Sequence, residues 1–293
     1  MSPSPGAPIR RAQPLLGTQV SISVAGLGAK AAHAAIERGF AAVARIQRLM
    51  SFHEADSDLS RMNSDAARRA VAVDKDTYAV MAKAQELSER SGGVFDVTVG
   101  GRLVAMGFLP RPAAGRPNAR ACWRDVELLG RNRVRFAKPL WVDLGGIAKG
   151  YAVDIALAEM SAPPRAQVVI NAGGDLRIAG PGTERVLLRA PVSDGMLAVV
   201  ELQDGSLASS SGRETRKRIR GRDVGPHFHG LTRASVGTRS FASVLAPECI
   251  VADGLTKIVL ALGTRAEGVL RSYGAIAHLY SPGRGWRTLG ADE

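Results

Sequence analysis

The chain has 293 residues, enough for one large domain or two modest ones around a sizeable core. Hydrophobic residues at 45% and charged residues at 23% exclude a disordered, collagen-like or disulfide-dense chain, and no apolar run approaches the roughly 18 residues of a membrane-spanning helix. Lys and Arg number 39 against 27 Asp and Glu, a net charge of +12 that attracts anions and says nothing about fold.

Residues 1–13 read as a disordered, Pro-rich tail with no apolar stretch before Leu15, so no secretory signal is present as written. That reading places the protein in the cytoplasm; a misassigned start could hide an export signal and put it in the periplasm. Cys122 and Cys249 match no zinc spacing and read as free buried thiols, in keeping with a reducing compartment. Residues 14–293 read as a single domain. Alternation of Val20, Ile22 and Val24 predicts a strand over 19–24, and Ile36, Phe40, Val43, Ile46 and Met50 predict a helix over 30–50. A second helix is expected over 74–90, ended by Gly92 and Gly93. Residues 110–118 read as an exposed loop. Strands follow over 126–129, 134–136 and 140–144, then a helix over 147–160. Strands over 168–171 and 176–179 flank a Gly-Gly turn, and 186–188 and 196–202 continue the sheet. Helices over 253–262 and 265–272 and a strand over 276–280 complete the reading. Strands outnumber helices and often follow each other directly, which argues for an α+β fold with largely antiparallel sheets and packed helices.

Four segments carry chemistry. In Val142-Asp143-Leu144-Gly145-Gly146-Ile147-Ala148-Lys149-Gly150, an apolar strand runs through two glycines into a helix. Glycines let backbone amides approach an anion, the helix N-terminus adds partial positive charge, and Lys149 adds a full one. This is diphosphate-binding chemistry, without the Walker or dinucleotide glycine patterns; the plainer alternative is a Gly-rich turn with Lys149 solvated. Asn171-Ala172-Gly173-Gly174-Asp175 fits a hairpin turn. In Ser91-Gly92-Gly93-Val94-Phe95-Asp96-Val97-Thr98, the glycines fit a helix C-cap, and Phe95 could stack on a ring or belong to the core. Asp253, in Ala252-Asp253-Gly254-Leu255-Thr256-Lys257, fits an N-cap or a ligand for a hard metal such as Mg²⁺.

In this order the segments resemble the ApbE family of FAD:protein FMN transferases, from about residue 14 to 263. Leu16-Gly17-Thr18 is similar to the family's opening Met-Gly-Thr. Met50-Ser51-Phe52-His53 through Ser57-Asp58-Leu59-Ser60-Arg61-Met62-Asn63 is similar to M-S-x-Y…S-E-[IL]-S-R-[LF]-N. Gly93-Val94-Phe95-Asp96-Val97-Thr98 and Gly107-Phe108 resemble G-A-F-D-P-T and W-G-F. The segment from Asp143 to Asp154 follows D-L-G-[AG]-I-A-K-G-Y-A-x-D, Asn171 to Asp175 follows N-x-G-G-D, and Ser210-Ser211-Gly212 resembles T-S-G. The resemblance implies FAD and Mg²⁺ as bound partners and transfer of FMN to a Thr or Ser hydroxyl of an acceptor flavoprotein, with release of AMP. It also leaves open an FAD-binding relative without transferase activity, or an FAD diphosphatase. Carried over, flavin contacts fall to His53, Val94, Phe95, Asp96, Asp143, Gly145, Lys149 and His227. The Gly146 carbonyl, Asp253 and Thr256 fall to the metal, and Asp253 and Lys257 to catalysis.

Three departures stand out. The family's A-D-x-x-x-T places Thr four residues after Asp, where this chain has Lys257, with Thr256 one residue earlier. Both positions lie on Asp253's side of a helix. Either Thr256 reaches a metal from a rotated position, or the Lys257 ammonium takes the metal's place and pairs with Asp253; the second is favoured because a cation beside Mg²⁺ is repelled. The family's H-x-x-D-P-x-T-G becomes His227-Phe228-His229-Gly230-Leu231-Thr232, without the Asp, and His53 replaces a Tyr. The six cations between Arg213 and Arg222 fit a solvated hairpin first, and docking of an acidic acceptor second. No aromatic residue interleaves them, so nucleic acid is not expected as a partner.

Overall fold

The computed structural model describes residues 7–112, 115–188, 198–212 and 215–291. The chain opens with strand β1 (Ile9–Leu15), which pairs antiparallel with β2 (Thr18–Ala25). The expected tail therefore gives way to structure at Ile9. β1 is an edge strand, the one place in a sheet where Pro14 costs no ladder bond. Helix α1 (Ala29–Leu49) follows, then α2 (Asp58–Asp65), β3 (Val71–Ala72), α3 (Lys75–Arg90) and the short α4 (Gly100–Ala105). Ser57 caps α2 by accepting from the Ser60 amide, and Asp74 caps α3 by accepting from that of Asp76. As expected, α3 ends in the glycine pair, with Gly92 and Gly93 at φ 60° and 85°.

Strands β4 (Val126–Leu129) and β5 (Arg133–Phe136) form a small antiparallel sheet with β3. The predicted strand at 140–144 is not one. Among the described residues no strand pairs with it; instead the Asn63 side chain bonds both backbone groups of Val142, at 2.7 and 2.9 Å, and the Asp143 amide donates to the Val97 carbonyl at 2.8 Å. The run stays extended, and its backbone is satisfied by a carboxamide and a turn.

Helix α5 (Ala148–Met160) leads to β6 (Gln167–Ala172) and β7 (Asp175–Ala179), a hairpin across the Gly173-Gly174 turn. Then come β8 (Glu184–Leu188), β9 (Ala198–Leu202), β10 (Gly205–Ser211), β11 (Lys217–Ile219), β12 (Arg222–Val224) and β13 (Phe241–Ala246). Helices α6 (Cys249–Leu262) and α7 (Glu267–Ser272) and strands β14 (Ile276–Ser281) and β15 (Gly285–Leu289) close the chain. The main sheet has eight strands in the order β1-β2-β6-β7-β10-β13-β14-β15, every pairing antiparallel. β8 and β9 do not continue it. They form a separate two-stranded sheet whose inward Leu188, Val200 and Leu202 cover Leu176, Ile178 and Leu207 of the main sheet. Residues 196 and 197 of the predicted strand, and Arg213 of the basic run, lie outside the described residues. Residue 214 lies outside them too, and residues 217–222 of that run lie in the β11–β12 hairpin.

The larger core lies on the sheet's other face. Val20, Ile22, Ile170, Ala208, Val244 and Ala277 point into it and meet α1, α5 and α6. α5 runs between α1 and α6 and is apolar nearly all round, as a helix packed on several sides must be. No helix among the described residues is long and apolar enough to cross a membrane.

Candidate functional site

The Gly145-Gly146 turn leads into α5, whose N-terminus no side chain caps. It sits where two compartments meet. The smaller, about 350 Å³, is walled by Val94, Phe95, Leu103, Phe108 and Phe228, with Asp96 and Asp143 at its polar side. Phe108 and Phe228 meet edge to face with centroids 6.4 Å apart. The wider cleft, about 1010 Å³, runs past Lys149, Asn171, the Gly173-Gly174 turn, Ser209, Ser210 and Arg216 to an apolar wall on β8. It has no carboxylate among its described lining residues. Gly145, Thr215, Pro226, His227 and Lys257 line both compartments. Of the residues carried over by resemblance, Val94, Phe95, Asp96, Asp143, Gly145, Gly146, Lys149, His227 and Lys257 gather on this cavity. His53 is exposed on the loop before α2 and lines neither compartment, although its charge reaches Asp143.

Four charges lie beneath the shared wall. Asp253 does not cap its helix: α6 begins at Cys249, so Asp253 sits in the second turn, fully buried. The Cys249 and Ile250 amides that open α6 donate instead to Asp154 of α5, at 2.9 and 2.8 Å. Asp253 accepts the Gly150 amide at Oδ2 (3.1 Å) and the Lys257 ammonium at Oδ1. Lys257 also donates to the Asp253 carbonyl at 3.1 Å and the Ser210 hydroxyl at 3.0 Å. Lys149 reaches the cleft but is not merely solvated; it pairs with Asp175, which is fully buried and leaves its Oδ1 without a partner. Burial opposes charge on Asp253, but Lys149 and Lys257 hold it below the usual carboxylate range. Asp175 is raised, by burial and then by the neighbouring Asp253 charge. Lys149 is held protonated, because Asp253 and Asp175 outweigh its burial.

The rim titrates differently. Burial pushes Asp143 up to about 6, against the Gly145 amide and the His53 charge. Burial, with Lys257 alongside, drives His227 down to about 3, so its ring is neutral. Asp96 is fully engaged: Oδ1 accepts the Thr98 amide and hydroxyl at 2.8 and 2.7 Å, and Oδ2 accepts Arg233 at 3.0 Å.

The donors at Asp253 do not fit a magnesium ion. Each carboxylate oxygen already accepts a donor, Oδ1 an ammonium, and the fully buried Thr256 hydroxyl donates to the Asp253 carbonyl at 2.7 Å and bonds Ser210 at 2.8 Å. Gly146 faces the Lys257 side chain: a Cβ on it would lie 3.5 Å from the lysine's Cε. No group of three or more His, Cys, Asp and Glu suited to a metal occurs among the described residues.

Sequence reading assigned no role to Asp175, Ser210, Phe108, Phe228, Arg233 or Asp154. All but Arg233 stand inside quoted motifs and could have been proposed from them. Arg233 carries no local signal; only the fold brings it to Asp96, 137 residues away.

The ApbE family profile matches residues 16–279. An FAD:protein FMN transferase from Treponema pallidum is 27% identical over 92% of this chain and 83% of its own. One from Vibrio cholerae is 27% identical over 73% of this chain and 69% of its own. Among solved structures, the ApbE protein of Thermotoga maritima superposes with a TM-score of 0.83 at 26% identity, covering 96% of each chain. The apo flavinyl transferase ApbE of Pseudomonas stutzeri gives 0.81 at 21% identity over 100% of both, a likeness of fold.

Proposed function

The chain belongs to the ApbE family, and we propose from this premise that it is an FAD:protein FMN transferase, moving the FMN portion of FAD onto a Thr or Ser hydroxyl of an acceptor flavoprotein and releasing AMP. The observation that carries the site assignment is the bipartite cavity. An aromatic pocket and a wider polar cleft join at a glycine turn and a lysine, which suits two ring systems linked by a charged diphosphate. The isoalloxazine ring lies among Val94, Phe95, Phe108 and Phe228, and the diphosphate crosses Gly145, His227 and Lys257. Lys149 acts on it through charge, since its ammonium is tied to Asp175.

In the transfer, the acceptor hydroxyl oxygen forms a bond to the FMN phosphorus, the bond from that phosphorus to the bridging oxygen breaks, and AMP leaves with the electron pair. The hydroxyl proton needs a base. Two carboxylates line the smaller compartment; Asp96 is held by Thr98 and Arg233, which leaves Asp143, beside the Gly145-Gly146 turn, and we assign it that role. Lys257 and the turn amides offset charge growing on the phosphoryl oxygens. Because the donors at Asp253 do not fit magnesium, no step is routed through it.

The test incubates the protein with FAD and candidate acceptor flavoproteins. The expected result is a mass gain equal to FMN on one Thr or Ser, matched by AMP. FMN appearing free without an acceptor would make the protein a diphosphatase. FAD binding with neither product would make it a binding relative, a reading that the lysine at position 257 favours.

A further inference from the structure

An ammonium has three N–H groups and no lone pair. Lys257 directs all three at oxygens: the Asp253 carboxylate, the Asp253 carbonyl at 3.1 Å and the Ser210 hydroxyl at 3.0 Å. Carboxylate, carbonyl and hydroxyl are the oxygen types that magnesium takes. The nest is thus built for a cation, and the chain fills it with its own. Asp253 and Asp175 are already paired with Lys257 and Lys149, so a divalent ion placed here would face an ammonium. Lys257 also lines both compartments, where a bridge between them must pass.

We infer that Lys257 is the resident cation of this site, acting on the diphosphate through its charge in place of a divalent metal, so that FAD binding needs no metal. The inference rests on the FAD reading above. Calorimetry of the full chain with FAD, in chelator and in excess magnesium, tests it: the two dissociation constants agree within about twofold, the mark of negligible coupling. Lys257→Thr empties the nest, so in chelator this variant binds FAD roughly tenfold or more weakly than in magnesium. A Mn²⁺ titration followed by paramagnetic resonance reads the nest without flavin: no stoichiometric uptake by the wild type, and uptake by the variant. Wild-type FAD binding that requires magnesium, or wild-type Mn²⁺ uptake abolished by Asp253→Asn, overturns this inference and leaves the FAD reading standing. No FAD binding in either buffer overturns both. The wild-type arms decide the matter without the variant.

Discussion

Gly150 is where propensity and packing give opposite answers. It lies in the first turn of α5, facing α6. A Cβ there would fall 2.3 Å from the Cys249 carbonyl oxygen, 2.7 Å from its carbon and 2.8 Å from the Asp253 Cβ. Two of these atoms are backbone and cannot rotate away. Helix propensity alone makes Gly→Ala stabilising by about 1 kcal/mol. Against it stand an overpacking cost of about 1–3 kcal/mol and, as the helices part, weakening of the Gly150 amide bond to the Asp253 carboxylate, in a class of bond worth about 1.5–3 kcal/mol. Gly150→Ala is therefore destabilising by about 3 kcal/mol, which lowers Tm by roughly 5 °C in a chain of this size. Gly268→Ala is the control: Gly268 is exposed in α7, with nothing within 4 Å of its added Cβ, and propensity there acts unopposed. Scanning calorimetry of both variants separates the two effects. Gly150→Ala melting at or above the wild type, in step with Gly268→Ala, would refute the close crossing of α5 and α6.

Two further outcomes concern the run around Asp143. Asn63→Ala removes both partners of the Val142 backbone in a buried place and costs about 2–4 kcal/mol by urea titration, since each abandoned group carries a penalty of about 1–3 kcal/mol; a loss under about 0.5 kcal/mol, the scale of a neutral surface change, contradicts the assigned bonds. Asp143 binds its proton more tightly folded, at about 6, than its ordinary value of 3.8. The folded state then holds more protons between those values, and this residue's contribution to stability falls as pH rises through the window. Asp143→Asn removes that contribution, so urea midpoints of variant and wild type diverge in the variant's favour from about pH 4 to about pH 6. A constant gap across that range shows that Asp143 is not shifted.

How much was legible depends on how far each feature reaches along the chain. The Ile36–Phe40–Val43–Ile46 spacing predicted α1 nearly to its ends, and the Gly173-Gly174 turn predicted the β6–β7 hairpin, because both are set by neighbours in sequence. The Asp253–Lys257 pair was legible for the same reason: four residues make one helical turn. The ordered motifs and the α+β class likewise needed no coordinates. The errors came where a distant partner decides. Val142 stays extended without a strand because Asn63, 79 residues away, satisfies it. Lys149 is not free because β7 delivers Asp175 beneath it, 26 residues on. Asp253 lies deep in α6 because that helix starts four residues earlier, capped by Asp154 of α5 rather than by its own chain. Spacing along one chain fixes a local pattern. Which buried charges face one another across separate elements is fixed by the crossing of α5 over α6 and the order of strands in the sheet.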